Sequence, residues 1–182
     1  MPKTSATLPE PDAIMPVLIA LTALSIRQRQ IAILIENGVE HASLAALYGA
    51  LTDAGAIVHL VGTRIGIFVG TNGENIAVNQ SLEHTPSVLF DALILPDGNK
   101  AVHALATSLD TSEFIKNLYR NGKTILALGS GRQLLDRAAI KASNQDDGVL
   151  LANSSDVAGV ALTFIKAIAA QRYLAGNHPL QT

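Results

Sequence analysis

Five short apolar runs, separated by segments with helical spacing, constrain the fold of this chain more than any other feature. No Asp, Glu, Lys or Arg interrupts a run, which is typical of strands that are buried on both faces. Such strands, alternating with helices, form a parallel sheet covered by helices on both sides. The sequence therefore predicts an α/β protein with a flavodoxin-like, doubly wound parallel sheet. The runs are residues 31–35, 57–61, 92–95, 124–128 and 149–152.

A hairpin interrupts the alternation after the second run. Residues 65–70 and 75–78 flank a loop that contains Asn72-Gly73, a strong signal for a tight turn between antiparallel strands. We therefore predict a small β-hairpin excursion from the main sheet. In the predicted helix over residues 41–53, one face carries Leu44, Leu47, Tyr48 and Leu51. The other predicted helices are residues 101–107, residues 112–121, a helix that begins at Arg132, and residues 155–174.

The N-terminal segment differs from the rest of the chain. Residues 13–26 are almost wholly apolar, but a membrane-spanning helix needs about 20 such residues. Glu10 and Asp12 precede the run, whereas a signal peptide begins with positive charge. We predict that residues 1–29 form a proline-punctuated linker whose apolar side chains dock on another surface and promote self-association. The flavodoxin-like domain would then occupy residues 30–182.

Composition narrows the class of protein. The chain has 182 residues, of which 48% are hydrophobic and 15% charged, as expected for a folded domain with a sizeable core. The net charge of −2 comes from interspersed signs, so we expect no nucleic-acid-binding face. The lack of cysteine excludes a thiolate nucleophile, and it fits the expectation of a cytoplasmic protein that does not enter membranes.

The turn after the fourth run has the layout of a nucleophile elbow. Gly129-Ser130-Gly131 joins a buried strand to a helix, and in an elbow this strained turn holds a reactive side chain above the edge of the sheet. The residue at that position is Gly129, which has no side chain. We therefore predict the frame of an active site without its reactive atom. The loops that would surround it are residues 36–43, 96–100 and 129–132.

Ser130 is the remaining candidate nucleophile, but a serine needs a neighbouring base. No histidine occurs between Arg132 and Asn177, and Arg132 stands where the G-x-S-x-G motif has its last glycine. We therefore predict that Ser130 caps the helix that follows.

Metal and flavin sites are not expected. The histidines are scattered and lack the spacing of metal ligands. The carboxylates of residues 36–40 lie where a flavin would place its phosphate, and negative charge there disfavours the phosphate. The acidic pair Asp146-Asp147 is predicted to form a turn. The histidines are His41, His59, His84, His103 and His178.

Several motifs together resemble one known family. They are Asn37-Gly38-Val39, Asn72-Gly73, the sequence PSVLFDA at residues 86–92, and Pro96-Asp97-Gly98. The stretches NGKTILALGSGRQLL and FIKAIAAQRYLAG continue the pattern, so that it extends from about Leu24 to the C-terminus. This pattern resembles the C-terminal domain of large-subunit catalases, within the class I glutamine amidotransferase-like superfamily that includes the PfpI-type proteases.

The resemblance implies that this domain has lost its chemistry. Active relatives carry a cysteine at the elbow, often a histidine beside it, and in some cases a glutamate after the first strand. These positions fall on Gly129, on Ser130 and near Ser43, with Glu40 a few residues earlier, and none of them matches. No cofactor is expected in this chain, because haem would belong to a separate catalase core. Tyr48, Tyr119 and Tyr173 are accordingly interpreted as packing residues.

The resemblance also implies a partner. A C-terminal domain of this kind would contact a catalase core, which disproportionates hydrogen peroxide in the response to oxidative stress, or another copy of itself in a homo-oligomer. It would stabilise the oligomer or shape access to the haem. Two alternatives stay open, namely a holdase-like chaperone and a hydrolase or amidotransferase that uses Ser130.

Overall fold

The computed structural model describes residues 25–142 and 148–175. The predicted linker up to residue 24, the turn at Asp146-Asp147 and His178 lie outside the described residues, and the domain boundary at residue 30 stays a prediction. None of the helices in the described part of the chain has the length and hydropathy of a membrane span.

Within the described residues the main sheet has six strands, and every neighbouring pair is parallel. The strand order is β5-β2-β1-β6-β7-β8, so the chain builds outward on one side of β1 and then crosses to the other side. This order confirms the predicted doubly wound fold and puts its switch point between β1 and β6. The strands are β1 Gln30–Ile35, β2 Ile57–Gly62, β5 Gln80–Ser81, β6 Ala92–Leu95, β7 Thr124–Leu128 and β8 Val149–Ala152.

Helices cover both faces of this sheet. Successive residues of a strand point to opposite faces, so Ile31 and Ile33 join one buried cluster while Ala32 and Leu34 join another. The first cluster includes residues of α1 and α5, and the second includes residues of α2, α3 and α4. The two-sided burial explains why the strands read as unbroken apolar runs. The helices are α1 His41–Asp53, α2 Asn99–Ala106, α3 Leu109–Arg120, α4 Arg132–Arg137 and α5 Val157–Ala175.

Two tyrosines depart from the predicted packing. Tyr48 and Tyr119, interpreted above as packing residues, are 42% and 38% exposed, so they pack only in part and lie outside the buried core. Each directly follows a buried leucine, Leu47 or Leu118, on its helix. One residue of an α-helix is a rotation of about 100°, which turns each tyrosine away from the core-facing stripe.

The predicted hairpin consists of β3 (Gly66–Val69) and β4 (Asn75–Val78), which pair antiparallel in a separate two-stranded sheet. The loop after β1 ties it to the main sheet. The amide of Gly38 donates to the carbonyl of Val69 at 2.8 Å, and the amide of Thr71 donates to the carbonyl of Val39 at 2.9 Å. The hairpin therefore stands beside the carboxyl edge of the sheet, where the candidate site lies.

Candidate functional site

The turn at Gly129 has the backbone of an elbow. A 3₁₀ turn over Gly129–Gly131 joins β7 to α4, and Gly129 has a φ of +46°. This left-handed conformation is the one that glycine adopts most readily. Gly129 thus sits at the carboxyl end of a central strand, as the elbow layout predicts.

The space above Gly129 is occupied by a side chain from the neighbouring strand end. A Cβ atom built on Gly129 would lie 2.7 Å from Oδ1 of Asp97 and closer still to Oδ2 and Cγ. Real Cβ atoms do not approach other atoms so closely. The carboxylate of Asp97 therefore fills the place where an elbow nucleophile would project.

Hydrogen bonds hold this carboxylate in place. Its Oδ1 accepts from the amide of Gly98 at 2.7 Å, from the amide of Ser130 at 3.0 Å and from the hydroxyl of Ser130 at 2.7 Å. Its Oδ2 accepts from the hydroxyl of Ser154, in the loop after β8. The Asp97 carboxylate thus links the ends of β6, β7 and β8.

These bonds also set the charge of Asp97. Partial burial is the largest single influence and acts to raise the pKa of Asp97, but the hydrogen bonds from Ser130, Ser154 and Gly98 together outweigh it. The net effect lowers the pKa from 3.8 to about 2. The carboxylate is therefore ionised near neutral pH, and it is a poor general base because an efficient base has a pKa near the working pH.

Ser130 does not cap a helix, so that prediction was wrong. The residue before α4 is Gly131, and no side chain caps this helix. The Ser130 hydroxyl instead donates to Asp97 and accepts from the amide of Gly98 at 3.2 Å. A hydrogen bond to an ionised carboxylate is stronger than one between neutral groups, which explains this choice of partner. Among the described residues, no histidine bonds to Ser130.

The loop after β1 supplies the third side of the site. Glu40 caps α1, because its carboxylate accepts from the amides of Ala42 at 3.0 Å and Ser43 at 2.8 Å. Partial burial acts to raise the pKa of Glu40, but bonds from Ser43 and Ala42 outweigh it and lower the pKa. Ser43, at the position where active relatives would carry a glutamate, is only 2% exposed. Glu40 is thus committed to the helix start.

The cavity between these loops is small. It has a volume of about 10 Å³, and it brings together Glu40, Ser43 and Asp97 with an apolar wall that includes Leu44 and Leu128. Gly129 and Ser130 do not line it. A volume of about 10–15 Å³ accommodates a single water molecule, so this cavity holds no more than a water-sized group.

The remaining candidates lie apart from this site. His59 bonds to Gln30 at 2.5 Å and to Gln80 at 3.0 Å, and His84 bonds to Ser81 at 3.1 Å. Within residues 25–142 and 148–175, no group of three or more histidines, aspartates and glutamates is arranged to hold a metal ion. Glu36, in the loop where a flavin phosphate would bind, accepts bonds from Asn37 and Thr63.

Residues 27–175 match the family described as the C-terminal domain found in long catalases. This chain belongs to that family. It is 30% identical over 150 residues to catalase HPII of Pseudomonas putida, which covers 82% of this chain and 20% of the relative. It is 32% identical over 137 residues to catalase C of Rhizobium meliloti, which covers 75% of this chain and 19% of the relative. The chain therefore spans about one fifth of the length of these curated relatives.

A solved structure has the same fold as this chain. The chain superimposes on a ThiJ/PfpI domain protein from Brachyspira murdochii with a TM-score of 0.70 at 16% identity, covering 79% of this chain and 98% of that one. At this identity the likeness concerns the fold alone. It confirms the predicted fold.

Sequence reasoning missed two residues of the site, Asp97 and Ser154. A signal for Asp97 was present, because Pro96-Asp97-Gly98 lies in one of the expected loops and Gly129 leaves space beside it. Ser154 carries no such signal, because it lies 57 residues from Asp97 along the chain.

Proposed function

We propose that this chain is a non-catalytic interaction domain that binds a catalase core or another copy of itself, and that it stabilises the assembly or shapes access to the haem. One observation carries the non-catalytic part of the proposal. The elbow position is a glycine, and the ionised carboxylate of Asp97 occupies the space of the missing side chain.

The surroundings of Ser130 argue against the hydrolase alternative. A serine nucleophile needs a base that can accept its proton near neutral pH. The Ser130 hydroxyl donates instead to Asp97, whose pKa is lowered to about 2. Ser130 is thus supplied with a hydrogen-bond acceptor that is too weak a base to activate it.

The partner is inferred from the relatives and from the surface. The relatives named above are catalases about five times the length of the matched region. On this chain, a groove of about 370 Å³ opens between α1, β2 and the hairpin, and we call it the hairpin groove. Tyr48, Val58, Leu60 and Ile67 contribute to its apolar lining. Exposed apolar surface of this kind marks interaction sites on soluble proteins.

The test uses the full chain and a haem catalase core of the long-catalase class that lacks its own C-terminal domain. We expect the two to co-sediment, and we expect the core to retain peroxide disproportionation longer at elevated temperature when this chain is present. A chain that neither sediments with the core nor changes its thermal inactivation, and that stays monomeric alone, would contradict the proposal.

A matched pair of variants assigns the surface. Ile67 in the hairpin groove and Leu162 on α5 are 53% and 54% exposed. We expect Ile67→Glu to weaken association and Leu162→Glu to leave it unchanged. The chain alone should show no peptidase, amidase or catalase turnover. Turnover that Ser130→Ala abolishes would instead favour the hydrolase alternative.

Exposed apolar side chains elsewhere favour one second candidate, a holdase-like chaperone. Val88 and Leu109 are both highly exposed, and Val88 lines a second groove of about 410 Å³. A holdase would suppress aggregation of heat-denatured, unrelated proteins at stoichiometric ratios. A domain dedicated to a catalase would protect the catalase core but not those clients.

A further inference from the structure

Two backbone amides from different loops converge on one oxygen atom at the elbow. The amide of Gly98, after β6, and the amide of Ser130, after the Gly129 turn, both donate to Oδ1 of Asp97, at 2.7 and 3.0 Å. In an elbow-type site, the amide after the nucleophile and an amide from an adjacent loop stabilise a negatively charged oxygen. The anion-stabilising half of such a site is therefore formed here, although the nucleophile is missing.

Two hydroxyl groups complete the set of donors. The Ser130 hydroxyl donates to Oδ1 at 2.7 Å, and the Ser154 hydroxyl donates to Oδ2. We call these two amides and two hydroxyls the carboxylate cradle. No lysine or arginine in the described ranges pairs with Asp97, so uncharged donors alone hold the negative charge. Both oxygens of one carboxylate are thus bound by groups fixed at three strand ends.

We propose that the carboxylate cradle is a binding site for a small carboxylate, and that the Asp97 side chain is its built-in ligand. In the wild-type chain this side chain acts as an intramolecular plug that excludes external carboxylates. Removal of the plug opens a site whose donors stay on the rigid ends of β6, β7 and β8. The inference concerns this edge of the sheet only and does not depend on the partner proposed above.

Size restricts the ligand. Asp97→Ala removes a single carboxylate group, which matches formate in size and charge. The adjoining cavity of about 10 Å³ adds room for no more than a water-sized group. We therefore expect the variant to bind formate and acetate, whose methyl group can enter the cavity, and to exclude benzoate.

The experiment is chemical rescue of the full chain. Thermal unfolding of Asp97→Ala is followed in increasing sodium formate and, at equal ionic strength, in sodium chloride. A ligand that binds only the folded state raises its midpoint, and we expect a rise of roughly 2–8 °C in formate over chloride. The wild-type chain should show no difference between the two salts, because its cradle is filled.

Two matched variants separate binding from general salt effects. Asp136→Ala removes an exposed carboxylate from α4 and leaves the carboxylate cradle filled, so formate should have no specific effect on it. Asp97→Asn refills the cradle with a carboxamide of nearly the same shape, and it should respond to formate as the wild type does.

A second readout covers the case in which Asp97→Ala does not fold alone. Its refolding yield should then rise in formate but not in chloride. In either case the amide protons of Gly98 and Ser130 should move downfield when formate is added to the ¹⁵N-labelled variant. Equal midpoints and yields in the two salts, or an equal formate effect on Asp136→Ala, would overturn the proposal.

Discussion

The elbow site and the hairpin groove are opposite in character. At the elbow, Asp97, Ser130 and Glu40 satisfy one another or nearby amides, and the cavity that remains has about 10 Å³. The hairpin groove has about 370 Å³, and Ile67 in its wall is 53% exposed. The polar groups at the elbow are thus paired with one another around a small cavity, while the hairpin groove, with both polar and apolar lining residues, is open. The second region is therefore the contact surface that we propose.

The difference follows from how each region is built. Parallel strands end together at the elbow, so loops rich in amides and hydroxyls face one another and can pair. The hairpin is a two-stranded sheet, whose side chains alternate between its two faces. Phe68 and Ile76 point inward and are buried, whereas Ile67 and Val69 point outward and are exposed, with no second layer over them among the described residues.

The largest expected effect comes from restoring a side chain at the elbow. Gly129→Cys should lower the free energy of unfolding by about 2–6 kcal/mol, because a left-handed non-glycine residue and an overpacked contact each cost about 1–3 kcal/mol. Denaturant unfolding measures it. Gly122→Ala is the control, because Gly122 has a φ of +65° and open space around it. This variant should lose only the stability that a left-handed non-glycine backbone costs.

The double variant sharpens this result. Asp97→Ala removes the atoms that the new side chain would meet, so Gly129→Cys should be less destabilising in that background than in the wild type. With the carboxylate cradle vacant, its amides should also lower the pKa of the thiol below the value of about 8.5 for free cysteine. Additive free energies together with an ordinary thiol pKa would show that Asp97 does not close the elbow.

The sequence predicts the helices and strands around this site better than the side-chain contacts within it. The predicted bounds of the first helix coincide with α1, because Glu40 caps its start and Gly55 follows its end. The strand β5, over Gln80–Ser81, was not predicted, because two residues are too few for a periodic pattern. Helices α2 and α3 begin two or three residues earlier than predicted; Ser108 caps α3 ahead of the apolar pattern.

The role of Asp97 depends on strand register, which the sequence does not specify. Leu95 of β6 pairs with Ala127 of β7, and the same register extended by two residues places Asp97 opposite Gly129. The side chain missing at Gly129 and the one that fills its space are thus neighbours only in the folded sheet. A single sequence shows that Gly129 lacks a side chain, but it does not show that Asp97 fills the space.

The second effect is a pH dependence that originates at the elbow. The pKa of Asp97 is lowered from 3.8 to about 2 on folding, so its ionised form stabilises the folded state. This contribution is fully present above about pH 4 and is lost as the pH falls towards 2. We expect it to be about 1–2 kcal/mol, because solvent screening reduces the effect at a partly exposed carboxylate.

Asp97→Asn isolates this contribution. The difference in free energy of unfolding between wild type and variant should shrink between pH 5 and pH 2, as measured by urea unfolding at each pH. A difference that stays constant over this range would mean that the carboxylate is not stabilised by its four donors.

The third effect concerns the cap on the far side of the closed cavity. Glu40→Ala removes the acceptors for the amides of Ala42 and Ser43, and it should cost about 1 kcal/mol, as for loss of other N-terminal caps. Glu40→Asp should recover much of this stability, because aspartate is a favourable cap. Glu74→Ala, in the exposed hairpin loop, controls for the loss of one negative charge. Equal stability of Glu40→Ala and Glu74→Ala would contradict the capping role.

The smallest expected effect on stability is also the one that tests the open region. Ile67→Glu replaces an outward-facing, half-exposed side chain, and substitutions at such positions change the free energy of unfolding by no more than about 0.5 kcal/mol. Its effect on association should be much larger, because a carboxylate buried at an interface without a partner costs several kcal/mol. Sedimentation with the catalase core and denaturant unfolding of the chain alone measure the two quantities separately.

If Ile67→Glu lowers stability as much as Gly129→Cys does, the hairpin groove belongs to the core of the fold and is not an open surface. If it changes neither stability nor association, the contact surface lies elsewhere, and the contrast between a closed elbow and an open groove no longer explains how this domain binds.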